Sequence, residues 1–211
     1  MKLKTKQDLH LMRRIWHASW GFTYPFLYFY YFTQKQFLIL IGIIIVFYLI
    51  LEVIRLKNPP LHKKMVHPYK ELLRESELRG INAGLYYNLS IFVAVLIFPK
   101  NIALLSALYI GFADPMAAIF GTIWGKKSIQ LLPGKSLIGS LAAFFTCFMI
   151  TILFLRNTPL LFSQLFCISL IGGAAGSLAE LFSFKIDDNL TIPIVSGSIV
   201  WASARLLAIP L

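Results

Sequence analysis

Seven stretches of this chain are apolar and nearly free of charge: 16–33, 37–54, 82–98, 102–123, 136–155, 160–182 and 191–209. No other feature restricts the fold so strongly. About 20 apolar residues is the length that crosses hydrocarbon. In lipid every backbone N–H and C=O must be paired inside the protein, so each run is expected to be helical. The first stretch is short and aromatic, with soft boundaries. The expected class is all-α, a polytopic integral membrane helix bundle with about seven transmembrane helices. Composition agrees: 58% of the 211 residues are hydrophobic and 14% are charged, against about 25% charged in a soluble domain. One bundle over 1–211 uses the whole chain and leaves no room for a second domain.

The net charge of +11 would suggest nucleic acid in a soluble protein. Here the basic residues lie between the apolar runs, where topology and anionic headgroups account for them. No nucleic-acid-binding motif occurs. The segments 1–15, 55–80, 124–135 and 183–190 carry 16 of the 20 Lys and Arg residues. By the positive-inside rule these segments are cytosolic, with the amino terminus inside and the carboxyl terminus outside. In a bacterium this places the protein in the cytoplasmic membrane. Residues 1–15 form a basic cytosolic segment with no small-residue cleavage site after the first apolar run, so that run reads as an uncleaved anchor. The polar stretch 56–81 reads as a cytosolic loop with a short amphipathic helix, in which Pro68 suits a first turn and Gly80 an end. Cys147 and Cys167 have no metal-ligand spacing and read as small core residues.

None of the nine acidic residues falls in an outer loop. Asp114 lies within the fourth run, near its cytosolic half. An ionisable group at mid-bilayer costs about 2.5–3.5 kcal/mol on insertion scales and normally faces a partner or a wet cavity. Glu52 and Glu180 fall at cytosolic ends of runs, where a structural ion pair is the simpler reading for Glu52. Ala118, Gly121 and Gly125 share the helix face of Asp114. Ser169, Gly173 and Gly176 form a similar stripe behind Glu180, and Ser136, Ser140, Ala143 and Cys147 form a third. Such stripes let helices approach closely, within one chain or between copies, so a homo-oligomer is allowed.

The 121–140 segment, GTIWGKKSIQLLPGKSLIGS, holds three lysines, several glycines and two serines just before a helix. Glycine admits a phosphate to backbone N–H groups, and a helix amino terminus favours an anion. Lys126, Lys127 and Lys135 suit a polyphosphate, although the Walker spacing is absent and a basic cytosolic loop needs no ligand. The 186–193 segment, IDDNLTIP, adds Asp187, Asp188 and Asn189. Carboxylates beside a phosphate site suit Mg²⁺, while an ordinary Asx cap would use the same residues. His17 sits where it could contact a headgroup or phosphate, though a lone interfacial histidine is more often structural.

In order and spacing, RRIWHASWG, RESELRGINAGLYY, ADPMAAIFGTIWGKKS, PGKSLIGS and AELFSFKIDDNLTIP resemble the dolichol kinase, phytol kinase and CTP-dependent diacylglycerol kinase family. The likeness runs from about residue 13 to 200. It implies a membrane lipid kinase that transfers the γ-phosphate of CTP to the hydroxyl of an isoprenoid alcohol or diacylglycerol, with Mg²⁺ or another divalent cation. The matching positions are Asp114, Gly121, Gly125, Lys126, Lys135, Ser136, Gly139, Ser140, Asp187, Asp188 and Asn189, and less closely His17, Arg74, Glu77 and Glu180. The resemblance gives nucleotide contacts to Gly121, Gly125, Lys126, Lys135, Ser136, Gly139, Ser140 and Asn189. Asp114, Asp187 and Asp188 would hold the metal, and one of them or Glu180 would act as the base, all on the cytosolic face. The chain lacks the long extra membrane region of eukaryotic dolichol kinases, so dolichol is the least favoured acceptor.

Two other functions compete. A CTP:phosphatidate cytidylyltransferase shares the D-x-x-A…G…G-K and K-S-x-x-G-S style but also carries P-G-H-G-G and D-R-x-D, and this chain reads DDNLTIPIVSGS in that region. A small transporter would use an intramembrane acid and glycine stripes, but the sequence has no inverted repeat and its acids gather at one face.

Overall fold

The computed structural model describes residues 11–58, 62, 77, 80–183 and 187–211. Arg74, the first ten residues and most of the amphipathic stretch expected at 56–81 lie outside the described residues. Seven long helices follow one another: α1 Leu11–Tyr30, α2 Gln34–Lys57, α3 Ala83–Ile97, α4 Lys100–Trp124, α5 Leu137–Leu155, α6 Phe162–Leu181 and α7 Asp188–Leu206. Each matches one expected run. The two end helices start earlier than expected. α1 opens among the basic residues at Leu11, and α7 opens inside the acidic segment because Asp187 caps it.

Side-chain caps fix most of the starts. Thr33 and Gln36 form a capping box on α2, Asn82 accepts from Gly84 N, Ser136 from Gly139 N and Asp187 from Asn189 N. Each cap satisfies an orphan amide at the first turn. Among the described residues, four helices are long and apolar enough to cross a membrane: α2, α4 with the 3₁₀ turn that extends it, α5 and α6. α3 is apolar but shorter. Large apolar side chains such as Ile43, Phe47, Ile50, Phe145 and Leu153 point outward from α2 and α5, as a lipid-facing surface requires.

The sequence predicts only a loop between α4 and α5, and the structure differs. A 3₁₀ turn, Gly125–Lys127, leads into a two-stranded antiparallel hairpin, β1 Gln130–Leu132 with β2 Lys135–Ser136. Its turn is Pro133–Gly134, and Gly134 has φ +78°. Proline followed by a residue at positive φ is what a type II turn requires. β2 runs directly into the Ser136 cap of α5.

α4 is the central helix and packs against α1, α3, α5, α6 and α7. No bulk hydrophobic force joins helices in lipid, so close contact has to come from small residues. α1 crosses α4 at Gly21 and Gly111, where a Cβ on either would fall on the other's Cα. Pro115 inside α4 removes the N–H that would bond the Gly111 carbonyl, so the helix is loosened at this crossing. α5 meets α6 where Cys147 fills the space beside Gly176 and Phe144 the space beside Gly173. The expected stripes are therefore packing surfaces. Cys147 is buried there, while Cys167 is only half-buried, unlike the core position its sequence context suggests.

Candidate functional site

The helices alternate in direction, so α1, α3, α5 and α7 start where α2, α4 and α6 end. Most of the residues singled out in the sequence lie at this end of the bundle, around the second half of α4.

The start of α5 is set into α4. A Cβ on Gly125 would stand 2.7 Å from Ser136 Oγ, and one on Gly139 would stand 3.0 Å from the Ala117 carbonyl oxygen and 3.6 Å from Gly121 Cα. Gly121, Gly125, Ser136 and Gly139 are thus one contact, and backbone meets backbone there. Gln130 Nε2 donates to the Gly125 carbonyl at 2.6 Å, which ties the hairpin to the end of α4. Lys126 is exposed on the 3₁₀ turn. Lys135, on β2, forms an ion pair with Glu180 at the end of α6. Glu180 is 5% exposed at its side chain and Lys135 21%. One turn earlier on α6, Ser177 Oγ donates to the Ser140 carbonyl at 2.8 Å.

Asp187 Oδ1 accepts from Asn189 N at 2.9 Å and from Asn189 Nδ2 at 2.6 Å, and Asp188 Oδ1 accepts from Asn189 N at 3.1 Å. The Asx cap expected from the residue types is present. α4 and α7 run antiparallel, and Gly197 packs on Ser106. Going ~12 Å (eight residues at 1.5 Å each) along each helix from that contact brings Asp114 level with Asn189. Asp114 and the acidic cap therefore lie at one level of the bundle.

α1 brings residues that the sequence reading used only as topological charge. Arg14 Nη2 donates to Thr122 Oγ1 at 3.5 Å. The Asp114 carboxylate lies near enough to the Arg14 guanidinium for the two charges to interact. His17 Nε2 lies 3.0 Å from the Ile110 carbonyl oxygen and must be the donor, since a carbonyl only accepts. This contact is structural and touches the loosened turn before Pro115. Beside α1, Arg13 pairs with Glu77 at 2.9 Å. Arg55 donates to Glu52 at 2.5 and 3.1 Å, to the Glu77 carbonyl at 3.0 Å and to the Gly80 carbonyl at 2.6 Å. Glu52 and Glu77 therefore form a clasp that holds the chain before α3 against α1 and α2. Glu52 is thus in a structural ion pair, and Glu77, a looser match to the family pattern, joins the same cluster.

Among the described residues, the buried side-chain polar atoms without a hydrogen-bond partner are Arg14 Nη1, Tyr87 Oη and Ser140 Oγ. Nearly all buried polar groups in folded proteins are paired. All three lie within five residues of the start of a helix at this same end, about 6–8 Å along its axis. Arg14 and Tyr87 were missed in the sequence. Arg14 was read only as a topological cation and Tyr87 was given no role of its own; the fold places them beside Asp114 and His17.

No family model matches the chain, and no solved structure does. Among curated proteins, it is 33% identical over 162 residues to the CTP-dependent diacylglycerol kinase 1 of Schizosaccharomyces pombe, covering 71% of this chain and 73% of that one. It is 31% identical over 205 residues to the protein of the same name from Saccharomyces cerevisiae, covering 88% of this chain and 70% of that one. A phytol kinase from Synechocystis is 32% identical over 108 residues, covering 49% of this chain and 45% of its own.

Proposed function

The chain belongs to the polyprenol kinase family, with the CTP-dependent diacylglycerol kinases and phytol kinase, and on that premise we propose that it transfers the γ-phosphate of CTP to the hydroxyl of a membrane lipid. The acceptor is an isoprenoid alcohol or a diacylglycerol. One observation carries the assignment to this end of the bundle. The unpartnered buried polar atoms Arg14 Nη1, Tyr87 Oη and Ser140 Oγ gather around the half of α4 that bears Asp114. A fold leaves such groups unpaired at a cost, and sites that act on a ligand are where that cost is recovered.

Phosphoryl transfer needs positioning and charge neutralisation more than covalent help from the protein. The lipid oxygen forms a bond to the γ-phosphorus as the bond from that phosphorus to the β–γ bridging oxygen breaks. CDP leaves, and the hydroxyl proton passes to a carboxylate. Lys126, Lys135 and the Ser136–Ser140 turn would hold the triphosphate, with Gly121, Gly125 and Gly139 keeping that turn against α4 and Asn189 facing it from α7. Arg14 adds a cation beside Asp114. Glu180 is committed to Lys135, which favours Asp114, Asp187 or Asp188 as the proton acceptor.

The carboxylates are hard oxygen donors of the kind Mg²⁺ takes. No group of three or more His, Cys, Asp or Glu is assembled among the described residues. Asp114, with Asp187 or Asp188, would hold the ion together with the nucleotide, since Mg²⁺ is commonly taken by one or two carboxylates plus phosphate. When bound it would neutralise charge on the triphosphate. By the charge bias of the loops, all seven helices are read as spans and this end as cytosolic.

The test is purified protein with labelled CTP or ATP and a panel of phytol, polyprenols and diacylglycerol, with the lipid products resolved. A phosphorylated lipid with CDP is expected. A CDP-lipid with pyrophosphate would make the protein a cytidylyltransferase. Substrate flux in proteoliposomes without nucleotide turnover would make it a transporter.

A further inference from the structure

Tyr87 is the fifth residue of α3, 5% exposed, and its hydroxyl has no hydrogen-bond partner among the described residues. Its neighbours cannot supply one. The His17 ring meets it edge-on at 5.0 Å, but His17 Nε2 is spent on the Ile110 carbonyl. The Tyr24 ring lies 6.1 Å away, and its hydroxyl donates to Asn88 Oδ1 at 2.6 Å. Asn88 Nδ2 in turn donates to the Gly84 carbonyl at 2.7 Å. Phenylalanine would fill the same space without an unpaired O–H, so the oxygen is a liability unless something other than the protein bonds it.

The surroundings indicate what that is. Tyr87 lies at the seam between α1 and α3. The backbones of these helices do not pack closely, and the seam is filled by the rings of His17, Tyr24 and Tyr87 and by the Tyr24–Asn88 bond. Side-chain rotation that releases the Tyr24–Asn88 bond would part this seam and leave the closely packed helix pairs in place. Through His17 it touches the turn of α4 immediately before Asp114, ~6 Å along the helix axis. The nucleotide-facing groups Lys135, Ser136 and Ser140 belong to α5 and its hairpin, a different neighbour of α4. An uncharged donor in an aromatic, apolar seam suits the neutral oxygen of a lipid rather than a phosphate.

We propose that the Tyr87 hydroxyl binds the acceptor lipid by donating a hydrogen bond to its polar-end oxygen, and that the lipid reaches the site through the α1–α3 seam. This rests on the lipid-kinase reading for the identity of the ligand. Tyr87 is a binding and specificity residue, and it neither takes the proton nor meets the nucleotide.

The experiment uses the full chain in detergent micelles and Tyr87→Phe, which removes the oxygen alone. Binding is read by saturable quenching of tryptophan fluorescence with brominated diacylglycerol or brominated phytol, since the Trp20 ring lies 5.1 Å from the Tyr24 ring beside the seam. Turnover and thermal midpoint are measured alongside. Y87F is expected to weaken lipid binding and raise the lipid KM about tenfold, the loss of one buried hydrogen bond. The KM for CTP should not change, and the midpoint should stay or rise because no bond within the protein is lost. Unchanged lipid binding in Y87F overturns the proposal, as does a lowered midpoint with both KM values altered together. Tyr87-dependent binding by a wild-type protein that phosphorylates no lipid would sink the kinase reading and leave the seam standing.

Discussion

Replacing Lys135 with methionine strands a carboxylate. Glu180 is 5% exposed at its side chain and Lys135 21%, so the two halves of the pair are not equivalent. Removing one partner of a buried pair typically costs about 3–5 kcal/mol, because the other charge stays desolvated. K135M should approach that figure. E180Q should cost about 1–2 kcal/mol, because the lysine can turn toward water and the amide still accepts a bond. The double variant K135M/E180Q removes the stranded charge and should recover most of the loss, a coupling of about 3 kcal/mol or more. At 2–4 °C per kcal/mol for a chain of this size, K135M should lower the thermal midpoint in detergent by roughly 10 °C and the double variant by a few degrees. Lipid phosphorylation should be lost in K135M and remain lost in the double variant if Lys135 is the cation proposed to hold the triphosphate, since only stability returns. Equal destabilisation by the two single changes would refute the reasoning, as would a double variant no better than K135M. Either result would mean that Glu180 does not depend on Lys135.

Asp187→Asn keeps an N-cap of equal quality and the bonds to Asn189, so the midpoint should move by no more than about 2 °C while turnover falls about a hundredfold, read by CTP-dependent lipid labelling. Gly125→Ala puts a methyl 2.7 Å from Ser136 Oγ. Displacing that cap should cost about 1–2 kcal/mol and raise the KM for CTP more than that for the lipid. Gly21→Ala drives a methyl onto Gly111 Cα. The forced separation of α1 from α4 should cost about 1–3 kcal/mol in thermal unfolding and lower kcat by moving Arg14 away from Asp114.

The helices could be read from the sequence because lipid leaves the backbone few options. The run 82–98 became Ala83–Ile97 and 136–155 became Leu137–Leu155. Errors came where polar residues lie inside helices, at the basic start of α1 and the acidic start of α7, since charge there reads as loop. The hairpin was missed because QLLPGKS is too short for a strand pattern, although Pro133–Gly134 was a turn signal. At the candidate site, Lys135, Ser136 and the glycines could be singled out because their residue types and spacing stand in one short segment, and the structure brings Gly121, Gly125, Ser136 and Gly139 into one contact. Arg14 and Tyr87 could not, because their meaning lies in whom they face. Arg14 meets Thr122, 108 positions away. His17 was ambiguous in the sequence, and the structure adds a bond from its Nε2 to the Ile110 carbonyl, 93 positions away.

The alternation of the helices has a consequence for how the protein is made. Arg14 lies on the first helix and Asp187 caps the last, so during synthesis the site does not exist until the final helix has entered the bundle. Each earlier intermediate carries a cation or an acid still waiting for its counterpart. A break in the 156–161 turn, at the far end, would divide the chain into two parts that lack nothing but each other. They would have to find their register through Phe144 against Gly173 and Cys147 against Gly176. Co-expressed halves should therefore regain phosphorylation that neither shows alone, and that recovery would be lost if a bulky residue replaced Gly176.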